Sequence, residues 1–285
     1  MTVFSLKLLA VLSMICDHLG YWLSMQGLIN DSVCTLMRSA GRLAFPLFCF
    51  LIANGYEHSS DKKRYLTRLI DFAALSQLPF TLVFTANNYA AELGALSFTA
   101  PGLLNIALCI LLGLLWHSFV SADKTALLPP VALLLGLSTL KLGEAYLLRP
   151  DMNVFYTLAA ALAVICVLDG FRASSPSRAH YGRALALVVA LLVIGSKADY
   201  GLDGMLLIVL LWLFRTEKAK QLIMLILWCL LHYPPWAGAT SYFICAAFAA
   251  LPIFFYNGRL GKAMKTAFYL VYPLHLSILG FIALL

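Results

Sequence analysis

Asp17 and His18 stand side by side in an otherwise apolar run that begins near Leu6. In a helix they would lie about ten residues, or roughly 15 Å, from its start, close to the middle of a bilayer. Ionisable groups at that depth are costly and face a bundle interior or a wet cavity, so the default reading is functional, with a structural interhelical pair as the alternative. Adjacent helical residues point about 100° apart, so Asp17 cannot be assumed to orient His18 and needs another partner. Arg42 is the natural one. It follows Arg38 by four residues within Gly41-Arg42-Leu43-Ala44-Phe45-Pro46, and a guanidinium there can grip a carboxylate or a substrate oxyanion with two hydrogen bonds. Snorkelling to the outer headgroups is the competing role. His275, just after Tyr272 and Pro273 in the last apolar run, returns a titratable group to mid-depth, and Pro273 can bend that helix toward a cavity.

Two further groups carry chemistry of lower specificity. His58 precedes Lys62, Lys63, Arg64 and Arg68, a cluster able to hold the phosphates of an anionic co-substrate, with lipid headgroups and topology as the plain alternative. Asp199, Tyr200 and Asp203 fall at an expected break between two short apolar segments, where transport and catalytic sites are often built, or where Asp199 simply caps a helix. The turn Tyr256-Asn257-Gly258-Arg259-Leu260-Gly261-Lys262 lacks a preceding strand and the spacing of a phosphate loop. His117, His180 and His232 lie at segment ends or loops and read as solvated. No His and carboxylate spacing matches a helical zinc motif, and the seven cysteines are scattered singly, so no metal site or disulfide framework is expected.

The elements that must position these residues follow from composition. The chain has 285 residues, 62% hydrophobic and 12% charged, whereas soluble domains carry about 25% charged residues. Apolar runs near 6–25, 39–57, 66–85, 101–120, 126–141, 153–169, 184–195, 199–214, 221–233, 238–255 and 266–284 predict an all-α, polytopic transmembrane helix bundle of about 10–11 spans. Such a bundle leaves no room for a separate catalytic domain, so residues 1–285 read as a single integral-membrane domain. The 31 residues of 184–214 are too long for one span and too short for two full ones. They are expected to form two shortened helices joined at 195–201.

Basic residues concentrate in the even connections (Lys62 to Arg64, Lys124, Arg172 to Arg183, Arg215 to Lys220, Arg259 to Lys265), while the odd ones hold only Arg38, Lys141, Arg149 and Lys197. The N-terminus is therefore expected in the cytoplasm and the C-terminus outside. The net charge of +7 is then mostly a topology signal, and no nucleic-acid partner is expected. Lys7 before an apolar run looks like a signal peptide, but Asp17 and His18 interrupt that run and no small-residue cleavage site follows, so the segment is expected to be retained.

The order Leu6-Lys7 through Cys16-Asp17-His18-Leu19-Gly20, then Gly41-Arg42-Leu43-Ala44-Phe45-Pro46 through Asn54-Gly55, resembles the TraX family of conjugative pilin acetylases. Tyr65-Leu66-Thr67-Arg68, Ser76-Gln77-Leu78-Pro79, Ala198-Asp199-Tyr200-Gly201, Tyr256-Asn257-Gly258 and Tyr272-Pro273-Leu274-His275 continue it in family order. The stretch 121–183 adds only hydrophobicity. The resemblance implies a multi-pass acyltransferase of the bacterial inner membrane. Its co-substrate would be acetyl-CoA, with no permanently bound cofactor, and its acceptor the N-terminal amine of a pilin-like protein, or a cell-surface glycan or peptide. For such a reaction the expected roles are His18 as general base, Arg42 with Tyr272 or Tyr200 stabilising the tetrahedral intermediate, Asp17 holding Arg42 or fixing the cavity's field, and His275 as an alternative base or acyl carrier. The cluster at 62–68 would bind the CoA phosphates. The alternative is a non-enzymatic transporter or pilus-assembly scaffold using the same Asp, His and Arg network.

Overall fold

The computed structural model describes residues 1–84, 141–142, 145–146, 152–173, 181, 185, 187–189, 191–192, 195–262 and 264–282. The predicted segments 101–120 and 126–141 lie almost wholly outside the described residues, and so do His117, His180, Lys124, Arg149, Arg178 and Arg183. What is described is helical apart from a two-residue antiparallel ladder, β1 (Lys141–Leu142) on β2 (Ala145–Tyr146). The chain divides into two compact units, one of Met1–Glu57, Leu82–Asn87 and Leu210–Leu285, the other of His58–Thr81 and Asn88–Val209.

The first unit opens with α1 (Val3–Met25), whose N-cap Thr2 accepts from the Ser5 amide at 3.2 Å. Two further first-turn amides are satisfied by a distant loop: Val3 N–H donates to Arg259 O (2.9 Å) and Phe4 N–H to Leu260 O (3.1 Å). That close approach requires Gly261, at φ 72°, where a Cβ would meet Thr2 Oγ1 at 2.6 Å. A turn through Gly27 (φ 67°) reverses the chain into α2 (Asp31–Gly41), capped by Asn30 accepting from Val33 N–H at 2.9 Å.

The sequence reading expected one span over 39–57. The structure instead starts α2 at Asp31, breaks at Arg42 and Leu43, and resumes as α3 (Ala44–Glu57). Pro46 explains part of this, because it sits in the first turn of α3, where its missing N–H costs nothing, and it cannot donate back into a continuing α2.

α2 lies closely against α1. Ser13 Oγ donates to Ala40 O at 2.6 Å, and a Cβ on Gly20 would meet Met37 Cβ at 2.6 Å. At Gly41 the approach is tighter still, since a Cβ would fall on the Asp17 side chain and near its backbone. Gly41→Ala is therefore expected to destabilise the protein by about 1–3 kcal/mol, as overpacking does, and to pull Arg42 off Asp17. Thermal unfolding in detergent checks this, and an unchanged midpoint would show that the helices part without cost.

The rest of the unit comprises the end of α4 (Lys62–Phe84), the end of α6 (Gly201–Leu213), α7 (Lys218–His232), a 3₁₀ turn at Pro235–Ala237, α8 (Thr240–Ala247), α9 (Ala250–Phe254) and α10 (Lys265–Ile282). The expected span 238–255 is interrupted at Phe248 and Ala249, with Pro252 in the first turn of α9 for the same reason as Pro46. Leu6, Ala10, Phe45, Leu47, Cys49, Leu225 and Leu276 form the core. Two polar ties close it: Glu57 accepts from Trp212 Nε1 at 2.7 Å and pairs with Arg215 Nε at 2.9 Å, and Asn54 Nδ2 donates to Tyr256 Oη at 3.2 Å.

In the second unit, Asp61 caps α4 by accepting from Arg64 N–H at 2.8 Å. α5 (Val154–Ala173) is held to α4 by Asn153, whose Nδ2 donates to Gln77 Oε1 and to Ala73 O, both at 2.8 Å. The break expected at 195–201 falls there: Ser196 to Tyr200 form turns, and Met152 pairs with this segment through Met152 N–H to Lys197 O (3.0 Å) and Asp199 N–H to Met152 O (2.8 Å). Irregular backbone is thereby supplied with protein partners.

Candidate functional site

Consecutive residues of α1 serve two neighbouring clusters. Asp17, 9% exposed, turns toward α2 and is gripped by Arg42 through Nη2, while Arg38 Nη1 stands 3.8 Å from the same carboxylate oxygen. The local fold makes this inevitable. Arg42 is the C-cap of α2, its backbone N–H donates to Arg38 O at 3.2 Å, and its Nε returns to the same carbonyl at 3.0 Å, which fixes the guanidinium. Tyr242 of α8 lies under Arg42 at 5.5 Å and Tyr21 of α1 under Arg38 at 5.1 Å, both cation–π distances. Ser39 Oγ meets Ser241 Oγ at 3.0 Å beside them.

Among the described residues the cluster sets the Arg38 and Arg42 guanidiniums against the Asp17 carboxylate. Among the described residues Arg38 Nη1 is buried and makes no hydrogen bond, standing 3.8 Å from the Asp17 carboxylate, which offers a donor to an anionic group. Sequence reasoning treated Arg38 only as an outer-loop charge. The signal that could have found it is its spacing: residues four apart on a helix share a face, so a buried Arg42 carries Arg38 with it.

His18 turns instead toward α10. Its Nδ1 lies 2.7 Å from His275 Nε2, and His275 Nδ1 lies 2.7 Å from Val271 O, one turn back on its own helix. Tyr272 packs edge-on to both imidazoles, at 5.9 Å from His18 and 5.7 Å from His275, and Phe84 closes another side of His18 at 5.0 Å. Asp17, His18, Arg42, Tyr272 and His275 thus all lie in the first unit, with His18 and His275 in direct contact and Asp17 joined to Arg42. A titratable imidazole beside fixed cations suits proton abstraction next to a developing negative charge.

The remaining candidates lie in the second unit. Lys62 is committed to Asp169, at 2.8 Å, and Arg68 lies over Tyr65 at 5.8 Å. His58, Lys63 and Arg64 are exposed, the two cations in the first turn of α4 and not in the loop where the sequence placed them. Asp199 is exposed at the break, Tyr200 is half-buried, and Asp203 stands in the first turn of α6. In the first unit, His232, read from sequence as solvated, is half-buried, stacked on Trp228 at 4.6 Å and edge-on to Tyr233 at 4.6 Å.

Comparison with known proteins adds a family. The TraX protein family matches residues 4–146 and 145–283. A relative described as a probable fimbrial assembly protein FimC, serogroup H1, from Dichelobacter nodosus is 25% identical over 290 residues, covering 98% of this chain and 94% of its own. An uncharacterized protein, RP591, from Rickettsia prowazekii (strain Madrid E) is 37% identical over 79 residues, covering 28% of this chain and 27% of its own. No solved structure matches. With both matched stretches together spanning nearly the whole chain, and with the motifs around Asp17, Arg42 and His275 inside them, the protein belongs to the TraX family.

Proposed function

We propose that the protein is a multi-pass acetyltransferase of the bacterial inner membrane, with its N-terminus in the cytoplasm, that transfers an acetyl group from acetyl-CoA to the N-terminal amine of a pilin-like protein or to a glycan or peptide acceptor. The observation that carries this reading is the half-buried His18 and His275 pair beside an Asp17, Arg38 and Arg42 cluster in which, among the described residues, Arg38 Nη1 makes no hydrogen bond. Two helices, Val3–Met25 and Asp31–Glu57 taken through its break, are long and apolar enough to cross a membrane. Stripes of exposed apolar side chains support the same setting: Leu8 and Leu12 on α1, Ile223, Leu227 and Leu231 on α7, and Leu274, Ile278 and Phe281 on α10. Polar groups inside and large apolar ones outside suit lipid better than water.

In the proposed reaction the acceptor nitrogen attacks the thioester carbonyl carbon as its N–H proton passes to His18. The carbonyl oxygen gains negative charge, which Arg38 and Arg42 would stabilise, with Asp17 holding Arg42. The carbon–sulfur bond then breaks, and the thiolate leaves with the proton returned from His18.

The printed description of the FimC relative favours one other reading, an assembly scaffold that escorts pilin without chemistry. Thiol release separates the two. Purified protein in lipid is expected to liberate free CoA thiol from acetyl-CoA only when an acceptor peptide or glycan is present. Absence of both release and acetyl-CoA binding would leave the scaffold.

A further inference from the structure

The geometry points to His275 as a positioning residue that fixes His18 in one tautomer, so that His18 Nε2 is the basic atom and His275 shares the proton it takes up. The first step concerns protons and not catalysis. Val271 O can only accept, so at 2.7 Å His275 Nδ1 carries the hydrogen. In a neutral His275 the other nitrogen, Nε2, then bears a lone pair, and the 2.7 Å contact requires His18 Nδ1 to be the donor. That leaves His18 Nε2 unprotonated. The chain of bonds reads from His18 Nδ1–H to His275 Nε2 and from His275 Nδ1–H to Val271 O.

Ring geometry agrees. The imidazole planes are within 12° of parallel and their centroids are 5.0 Å apart. With nitrogens 2.7 Å apart, that centroid separation is the largest two imidazoles allow, reached only when the rings lie end to end in one plane. The bond therefore enters each ring along its lone-pair direction, the favoured approach at an sp² acceptor. Tyr272 and Phe84, edge-on to His18, hold that plane.

The catalytic consequence rests on the acetyltransferase reading. When His18 Nε2 takes the acceptor's proton, the imidazolium's Nδ1–H is already bonded to His275 Nε2. The positive charge spreads over two rings as the shared proton moves toward His275, and moving it back lets His18 Nε2–H protonate the leaving thiolate. No proton enters or leaves the pair beyond the one transferred. His275 thereby orients His18 as a carboxylate orients histidine in a catalytic triad, but unlike that carboxylate it also takes a share of the proton, and in this role it carries no acyl group.

Nitrogen-15 NMR of the histidine-labelled full chain in nanodiscs tests this without any turnover, at a pH where the pair is neutral and with the His18 signals assigned by their loss in His18→Gln. The expected result is a pyrrole-type Nδ1 and a pyridine-type Nε2 for His18. The opposite pattern in the wild-type protein would overturn the inference, whatever becomes of the acetyltransferase. In His275→Leu the His18 tautomers should mix, and acetyl transfer should fall by about 10²–10⁴-fold, as when a triad histidine is left in the wrong tautomer. His275→Gln, whose Oε1 can still accept, should recover part of that loss. An unmixed His18 tautomer in a folded His275→Leu would overturn the positioning role. Should that variant fail to fold, the wild-type spectrum alone decides the tautomer. A correct tautomer in a protein that transfers no acetyl group would sustain the proton assignment and sink the acetyltransferase instead.

Discussion

His18→Ala is expected to lower acetyl transfer by about 10²–10⁴-fold, the usual loss on removing a general base, while leaving the Asp17 and Arg42 pair in place. The separation follows from the helix. His18 faces α10 and Asp17 faces α2, so truncating one side chain leaves the other's partners untouched. The loss should appear in single-turnover release of thiol at saturating acetyl-CoA, with the donor's apparent KM little changed, because in the proposed reaction the imidazole acts on the acceptor and not on the nucleotide. Full activity in the folded variant would remove His18 from the scheme and pass the role of base to another group.

The second large effect is on stability. Asp17→Ala removes the carboxylate that the buried Arg42 and the half-buried Arg38 share. Removing one partner of a buried pair costs about 3–5 kcal/mol, because the remaining charge has lost both water and its counterion. Replacing both ends should hurt less than replacing one, so Asp17→Ala combined with Arg42→Leu is expected to unfold at a higher temperature than Asp17→Ala alone. Unfolding followed in nanodiscs measures the difference. Equal midpoints for wild type and Asp17→Ala would mean that water or lipid headgroups already neutralise the arginines.

What the sequence made legible was local. The apolar run that became α1, the misfit of Asp17 and His18 within it, the need of Asp17 for a separate partner and the break near 195–201 all follow from spacing within a few turns. The pairing of Arg42 with Asp17 was within reach because a short turn brings α2 back along α1. The break at Arg42 and Leu43 was only hinted at by Pro46, since a proline is tolerated in a helix's first turn without fixing where the preceding helix stops, and tertiary packing decides that Arg42 caps α2. Arg38 was misread for the same reason: charge counting assigns every loop-side arginine to topology until a partner is seen. Lys62 looked free for a phosphate, and Asp169, more than a hundred residues on, engages it. The direct contact of His18 with His275 has no periodic signature at all, because nothing in a linear pattern states which of several histidines meet.

That contact has a consequence for how the protein is made. Asp17 and Arg42 are separated by 25 positions in the chain, and His18 and His275 by 257. The first pair belongs to a helical hairpin that can close soon after it leaves the ribosome. The second cannot exist until α10 has been translated, and at roughly 5–20 residues per second that leaves an interval of some tens of seconds. During synthesis the buried arginines are thus neutralised early, while the imidazole pair is completed only at the end. A nascent chain carries its electrostatic scaffold long before it carries the histidine pair, so a truncated product would have the first contact and lack the second.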